Sequence, residues 1–256
     1  MSQLTEPTGV PGARPNQFAL LGQRRFAPFF WTQFSGAGND NVFKFAFTVL
    51  VTYQLQVAWL PPQMAGLVIG ALFILPYVLF SATSGQLADR WDKARLMRLV
   101  KNLEIAIMLL AAYGFMAADV AVLLLCTFLM GCHSTLFGPA KFAYLPQVLR
   151  DEELVGGNGM VEMGTFVAIL LGNMLGGLLM SLPGAGQGAA ALACVLIAVA
   201  GRIAAGWIPA AAPPVIDTPM RWNPLSETVA NLRLGAQDAV VFRSMLAISW
   251  MWFFGA

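Results

Sequence analysis

The sequence has 256 residues, 58% of them hydrophobic and 11% charged, with a formal net charge of +2. Ordinary soluble domains carry about 25% charged residues, so this composition points to a polytopic membrane protein, and a charge of +2 gives no footing for a nucleic-acid partner. The three cysteines, Cys126, Cys132 and Cys194, fall in apolar stretches without metal-ligand spacing and read as small core residues, and the single His133 cannot build a His-rich metal site.

Residues 1–25 hold Pro7, Gly9, Pro11, Gly12 and Pro15 among three arginines, with no apolar region. That excludes a signal peptide and predicts a short disordered tail. Span 1 covers residues 26–55, longer than the roughly 20 residues that a bilayer crossing needs. It contains Gly36-Ala37-Gly38-Asn39-Asp40-Asn41-Val42-Phe43-Lys44. Asp40 lies roughly 21 Å along the helix axis, near mid-membrane, where a charge costs about 2.5–3.5 kcal/mol on insertion scales. Asp40 and Lys44 are four apart, so they neighbour each other on one face with the acid N-terminal. Gln33, Gly36 and Ala37 extend that face, and Asn39 adjoins it. Two readings stay open: a self-neutralised pair that only packs, or a substrate or coupling site.

Pro61-Pro62 marks an uncharged turn before span 2, residues 64–84, where Gly66 and Gly70 have close-packing spacing and Pro76 predicts a kink. Gly85 to Arg95 reads as a dense charged turn. In it, Gly85 permits close approach at a helix end, and Asp89 suits a helix N-terminus. Arg90, Lys93 and Arg95 are placed to pair with carboxylates or lipid phosphates. Span 3 covers residues 96–118, and Lys101 and Glu104 in its first turns read as interfacial residues whose charged heads reach water. Asp119 marks a tight turn before span 4, residues 120–138, which Gly138-Pro139 is expected to end. A charged loop, residues 141–153, leads to span 5, residues 154–182. There Gly164, Ala168, Gly172 and Gly176 form a small-residue stripe suited to helix packing. Pro183-Gly184-Ala185-Gly186 turns into span 6, residues 188–208, with Arg202 near its end. Residues 209–243 read as a polar linker with an amphipathic surface helix at 226–241. A seventh apolar run occupies residues 244–256, too short to cross a bilayer, so the chain reads as a fragment of a longer protein cut inside a helix.

The basic residues of the tail, the 2–3 turn, the 4–5 loop and the 6–7 segment alternate with turns that contain no Lys or Arg. By the positive-inside rule the N-terminus and the linker are cytoplasmic. The expected organisation is a cytoplasmic disordered tail (1–25), a six-span bundle (26–208), a cytoplasmic linker (209–243) and the start of span 7 (244–256).

Six spans, a long linker and a seventh span resemble the first half of a major facilitator superfamily transporter. The specific match is Gly85, Leu87, Ala88, Asp89, Arg90, Lys93 and Arg95, similar to that superfamily's signature turn, with Asp92 where a glycine is common. The resemblance implies that this turn latches the two halves in one conformation, its partner lying in the missing C-terminal half. Three further stretches resemble the lysophospholipid transporter branch: Gln33 to Lys44, Gly138 to Gln147, and Asn158-Gly159 with Glu162. That branch moves lysophospholipids across the bacterial inner membrane for re-acylation, and some members are fused to an acyltransferase. The resemblance therefore implies an all-α, six-helix N-terminal bundle made of two three-helix repeats, truncated in helix 7. It further implies an inner-membrane location, a lysophospholipid substrate, the bilayer and the missing half as partners, and a fused or associated acyltransferase as a further option. Asp40 would match the branch's intramembrane acid.

In such a half, span 1 corresponds to span 4. Both carry polar, small clusters, Asn39-Asp40 in one and Gly131-Cys132-His133-Ser134-Thr135 in the other, which hints at a central cavity. His133 reads as a satisfied core residue, a headgroup ligand or a proton relay. Glu162 with Asn158 reads as a second cavity patch, or Glu162 as a buried partner of Lys141 or Lys44. Lys141 reads as an interfacial lysine or a phosphate ligand. No catalytic constellation, cofactor motif or phosphate-cradling glycine loop occurs in the sequence. Two other functions remain open: a proton-coupled exporter of drugs or small metabolites, which the absence of a Gly-Pro step in Gly172-Asn173-Met174-Leu175-Gly176-Gly177 disfavours, and the membrane domain of an acyltransferase.

Overall fold

A computed structural model describes residues 16–55, 57–211 and 220–255. The described residues form an all-α polytopic membrane protein. Helix α1 is Ala27–Val49, continued by a wider turn at Leu50–Gln54. It is followed by α2 Pro62–Arg90, α3 Lys93–Ala117, α4 Val120–Val148, α5 Asp151–Met180 and α6 Gly186–Gly206. Helices α2 to α6 are each long and apolar enough to cross a membrane. The polar residues of α1 set it apart from that group, and it runs in their midst with Phe29, Phe43 and Phe47 fully buried.

The connections are tighter than the sequence suggests. α2 runs on through Gly85, Asp89 and Arg90, so the charged turn shrinks to Trp91-Asp92. Asp92, not Asp89, is the N-cap: its carboxylate accepts the Arg95 N–H at 2.7 Å. Asp119 caps α4 in the same way through Val122 N–H, and Ala118 before it takes the left-handed conformation. Gly138-Pro139 does not end span 4. α4 continues through Pro139 and Pro146 because Ala140, Tyr144 and Leu145 are buried against α1 and α3 residues, and this packing outweighs the bond that proline forfeits. The expected charged loop is therefore mostly helix.

The packing has an internal two-fold pattern. α1 packs on α5 as α4 packs on α2, α1 packs on α6 as α4 packs on α3, and α3 packs on α6. Exchanging the first three helices for the second three maps this set onto itself, as two three-helix repeats require. Small residues set the closest approaches. Gly172 lies against the Gly38 carbonyl and Gly176 against that of Val42, so the stripe on α5 is the seam with α1. Gly131 on α4 lies against the Phe73 carbonyl and the Pro76 ring of α2. Gly70, by contrast, has nothing within 4 Å of where a Cβ would stand, and Gly66 meets only a Thr48 methyl, so their spacing does not mark a close contact.

Both flanks depart from expectation. Residues 1–15 lie outside the described residues, but 16–25 are ordered: Gln17–Gly22 forms a 3-10 turn capped by Asn16, with Leu20 buried near Gly157 of α5. Arg25 bonds the Glu153 carboxylate at 2.7 Å and the Val148 carbonyl at 2.6 Å. After α6, Ala211 donates its N–H to Asp92 and accepts the Lys93 N–H. Gln86 then makes two side-chain bonds to the Arg221 backbone. Helix α7 is Pro224–Gly235 and α8 is Ala239–Gly255. The single helix expected at 226–241 is thus broken after Gly235, and Asp238 caps α8 through Val240 N–H.

Candidate functional site

A cavity of about 300 Å³ opens at the centre of the bundle, between α1, α2, α4 and α5, with Lys101 of α3 at its edge. The α1 face expected from Asp40 and Lys44 lines it, together with Gln33, Gly36 and Ala37. Gln33 is fixed by the α5 backbone carbonyl of Val161 and by the Thr165 hydroxyl, which holds this face of α1 against α5. Phe73, Tyr77, Phe137 and Ile169 give the cavity apolar walls.

Asp40 is 8% exposed. Its Oδ2 accepts the Ser134 hydroxyl at 2.7 Å, and its Oδ1 has no partner among the described residues. Asp40 and Lys44 share the cavity but form no ion pair there. The Lys44 ammonium instead stands over the Phe73 ring, 4.1 Å from the centroid. The self-neutralised pair is therefore not the arrangement found: four residues of spacing bring two side chains onto one face, while aromatic packing draws one of them aside.

Behind Asp40 lies a buried charged cluster. Lys101 and Glu104 are 1% and 0% exposed, and Lys101 Nζ donates to Glu104 Oε2 at 2.6 Å. The other oxygen of Glu104 accepts Asn39 Nδ2 at 2.7 Å. His133 Nε2 lies 3.2 Å from Glu104 Oε2, and His133 Nδ1 lies 3.4 Å from the Ser134 hydroxyl. This corrects the interfacial reading of Lys101 and Glu104. Because Asp92 starts α3 at Lys93, these residues fall in its third and fourth turns, enclosed by the other helices. Gly36 of α1 and Gly201 of α6 leave the room that the Lys101 amine occupies. Asn39, Asp40 and His133 are thus brought together, as the correspondence of spans 1 and 4 suggests. Lys101 and Glu104 are the members that sequence reasoning placed elsewhere, and Ser134, named only as part of the span 4 polar cluster, turns out to bond Asp40 directly. The available signal was a Lys and a Glu three apart on an apolar helix facing a partner with small residues.

The other candidates are placed elsewhere. Lys141 lines the cavity and reaches Glu162 at 3.4 Å, with its ammonium 4.5 Å from the Phe142 ring centroid. Glu162 is the partner of Lys141 and does not itself line the cavity. Asn158 is exposed and bonds back to the Leu154 carbonyl of its own helix, so Asn158 and Glu162 do not form a shared cavity patch. In the signature turn, Gly85 has open space about its Cα, and Asp89 and Arg95 are exposed. Arg90 makes no ion pair with a described residue. Lys93 is buried at 1% exposure beneath Ala211. Cys126 and Cys194 are free and buried, and Cys132 is free and half-buried.

The sequence pattern of the Major Facilitator Superfamily matches residues 29–256. A lysophospholipid transporter of Serratia proteamaculans is 32% identical over 219 residues, covering 84% of this chain and 50% of the relative. Its counterpart in Yersinia enterocolitica is 35% identical over 149 residues, covering 57% and 34%. One in Yersinia pestis is 34% identical over 152 residues with the same coverage. The chain spans about half the length of the first of these relatives and a third of the others.

Proposed function

Since this chain belongs to the major facilitator superfamily, we propose that it forms the first half of a transporter that moves lysophospholipids across the bacterial inner membrane by alternating access. The observation that carries the reading is the composition of the cavity: one unpartnered carboxylate oxygen, two accessible ammonium groups and aromatic walls in a single space at membrane depth. A volume of about 300 Å³ is at the lower end of the roughly 300–1,000 Å³ of ligand pockets. It suits a polar headgroup, while the acyl chain would lie along Phe73, Tyr77, Phe137 and Ile169 toward the bilayer. Lys44 and Lys141 would take the phosphate, and Asp40 the positive end of a zwitterionic headgroup. Glu162 would hold Lys141 ready without touching the lipid.

The basic 2–3 and 4–5 connections and the linker would face the cytoplasm with the N-terminus. Residues 26–208 would be the moving bundle and 209–243 its cytoplasmic link to the second half. Gly85, Asp89, Arg90, Lys93 and Arg95 would act as a conformational latch, with exposed Asp89 and Arg95 free to meet a partner from that half. The test is uptake of labelled lysophosphatidylethanolamine by spheroplasts that express the complete gene in a strain lacking its own lysolipid transporter. The expected result is uptake that Asp40→Asn abolishes. Absence of uptake with the protein present in the membrane would overturn the cargo assignment.

A further inference from the structure

A line of close polar groups runs from the cavity into the core: Asp40 Oδ2 to Ser134 Oγ at 2.7 Å, Ser134 Oγ to His133 Nδ1 at 3.4 Å, and His133 Nε2 to Glu104 Oε2 at 3.2 Å, this last a charge contact without hydrogen-bond geometry. Hydrogen-bond bookkeeping limits where its protons sit. A hydroxyl donates one hydrogen, and a carboxylate only accepts. If Asp40 is a carboxylate, the Ser134 hydrogen points at it, so His133 Nδ1 can meet Ser134 only by donating. Its Nε2 carries a hydrogen as well, because a bare ring nitrogen 3.2 Å from a Glu104 carboxylate oxygen would repel it. His133 then carries hydrogens on both nitrogens. If Asp40 is instead protonated, its O–H donates to Ser134, the Ser134 hydrogen turns to Nδ1, and His133 keeps a hydrogen on Nε2 alone. The same heavy-atom positions accommodate both arrangements, and the two differ by one proton.

We propose that Asp40, Ser134 and His133 share a single proton, which passes from Asp40 to His133 when a cationic group enters the cavity beside Asp40. This rests on the lysophospholipid reading for the identity of that cation, the headgroup amine. In the step the Asp40 O–H bond breaks and the His133 Nδ1–H bond forms. The Ser134 hydroxyl gives one proton to Nδ1 and takes the other from Asp40. Glu104 stands 3.2 Å from Nε2 in both states and is the fixed countercharge to the imidazolium. The charged or titratable groups around the line are Asp40 and Lys44 on α1, Tyr77 on α2, Lys101 and Glu104 on α3, Lys141 on α4 with its partner Glu162, and Cys194 on α6, while Thr165 of α5 does not titrate. Lys101 is bound to Glu104, and Lys44 is drawn to Phe73, so neither takes the free Asp40 oxygen. The consequence is a carboxylate whose charge appears only when an amine is there to meet it. An empty cavity keeps no bare anion, and no proton needs to enter from bulk water.

His133 is the single histidine of these 256 residues and serves as a spectroscopic reporter once its signals are told apart from any others by substitution. The complete protein, labelled with ¹⁵N-histidine in nanodiscs, would be read by NMR, with the His133 signals assigned by their loss in His133→Gln. The Asp40 carboxyl band would be read by infrared difference and assigned with Asp40→Asn. Binding of lysophosphatidylethanolamine and of amine-free lysophosphatidylglycerol would be measured separately by calorimetry. At fixed pH, bound lysophosphatidylethanolamine is expected to take His133 from one protonated nitrogen to two while the Asp40 carboxyl band disappears. Lysophosphatidylglycerol should leave both signals in place. In Ser134→Ala the amine-bearing lipid should bind without moving the His133 signal. Bound lysophosphatidylethanolamine with an unmoved His133 in the unaltered protein overturns the proposal. If neither lipid binds, the transport reading falls, and the shared proton is judged on the ligand-free protein. There a protonated Asp40 with a neutral His133 supports it, and an ionised Asp40 with a neutral His133 overturns it.

Discussion

Replacing Glu104 by Gln removes one charge from a site where every neighbour is fixed. Lys101 Nζ is 1% exposed, its hydrogen-bond acceptor is Glu104 at 2.6 Å, and it is packed against Gly36 and Gly201 with the Phe137 ring centroid 5.9 Å away. The variant therefore leaves an ammonium at membrane depth without a countercharge. Breaking a buried pair from one side costs about 3–5 kcal/mol, whereas replacing both partners by neutral groups of similar volume is often close to neutral. For a chain of this size each kcal/mol corresponds to a shift of about 2–4 °C, so Glu104→Gln should lower the melting temperature by roughly 6–20 °C. The double variant Lys101→Met/Glu104→Gln should recover most of that loss, because the introduced amide can still accept the Asn39 N–H and no charge is stranded. Cys126 and Cys194 are fully buried, so with the half-buried Cys132 replaced a thiol-reactive dye follows their exposure as the protein unfolds in detergent. A double variant as unstable as the single one would refute the reasoning, as would a single variant that melts like the unaltered protein.

Four further outcomes follow from the geometry. Gly131→Ala puts a methyl group against the Phe73 carbonyl and the Pro76 ring, and should destabilise by about 1–3 kcal/mol in the same melting assay. Gly70→Ala, with open space at its Cα, should be neutral or stabilise by about 0.5–1 kcal/mol. Lys141→Gln removes a charged donor from the cavity and should weaken lysophosphatidylglycerol binding about tenfold or more by calorimetry, with the melting temperature held within a few degrees. Asp92→Ala removes the α3 cap, at about 1 kcal/mol, and should speed amide hydrogen exchange at Ala211, whose N–H it releases.

Helix number and order were legible because each apolar run is bounded by a strong break: Pro61-Pro62, Asp119 after Ala118, and Pro183-Gly184. The ends were not, because proline and charge carry different weights in a packed helix. Gly138-Pro139 read as a terminator, yet Tyr144 and Leu145 are held in the core and carry α4 past it and past Pro146. Gly85 to Arg90 read as a turn because charges cluster there, but the last residues of an α-helix can be charged wherever the helix end reaches water. At the site, Asp40 was legible because one mid-span acid is costly on its own. The partners of Asp40 were not. Lys44 was offered by spacing and taken by Phe73, while Ser134 comes from 94 positions away. Lys101 and Glu104 looked interfacial only as long as span 3 was started at Leu96, one turn beyond its actual cap. Depth in the bilayer is counted from the helix start, so an error of one turn there moved a buried ion pair to the surface.

The strand of chain leaving α6 does not swing free. Ala211 is clipped to the Asp92–Lys93 corner and Arg221 to Gln86, so both sides of the link are moored to the same end of α2 and α3. Its working length as a leash is therefore counted from Arg221 and not from the end of α6. A tether shortened in this way raises the effective concentration of whatever it carries. It also gives that cargo a lever: a tilt of the α2–α3 corner passes to α7, which packs on α2.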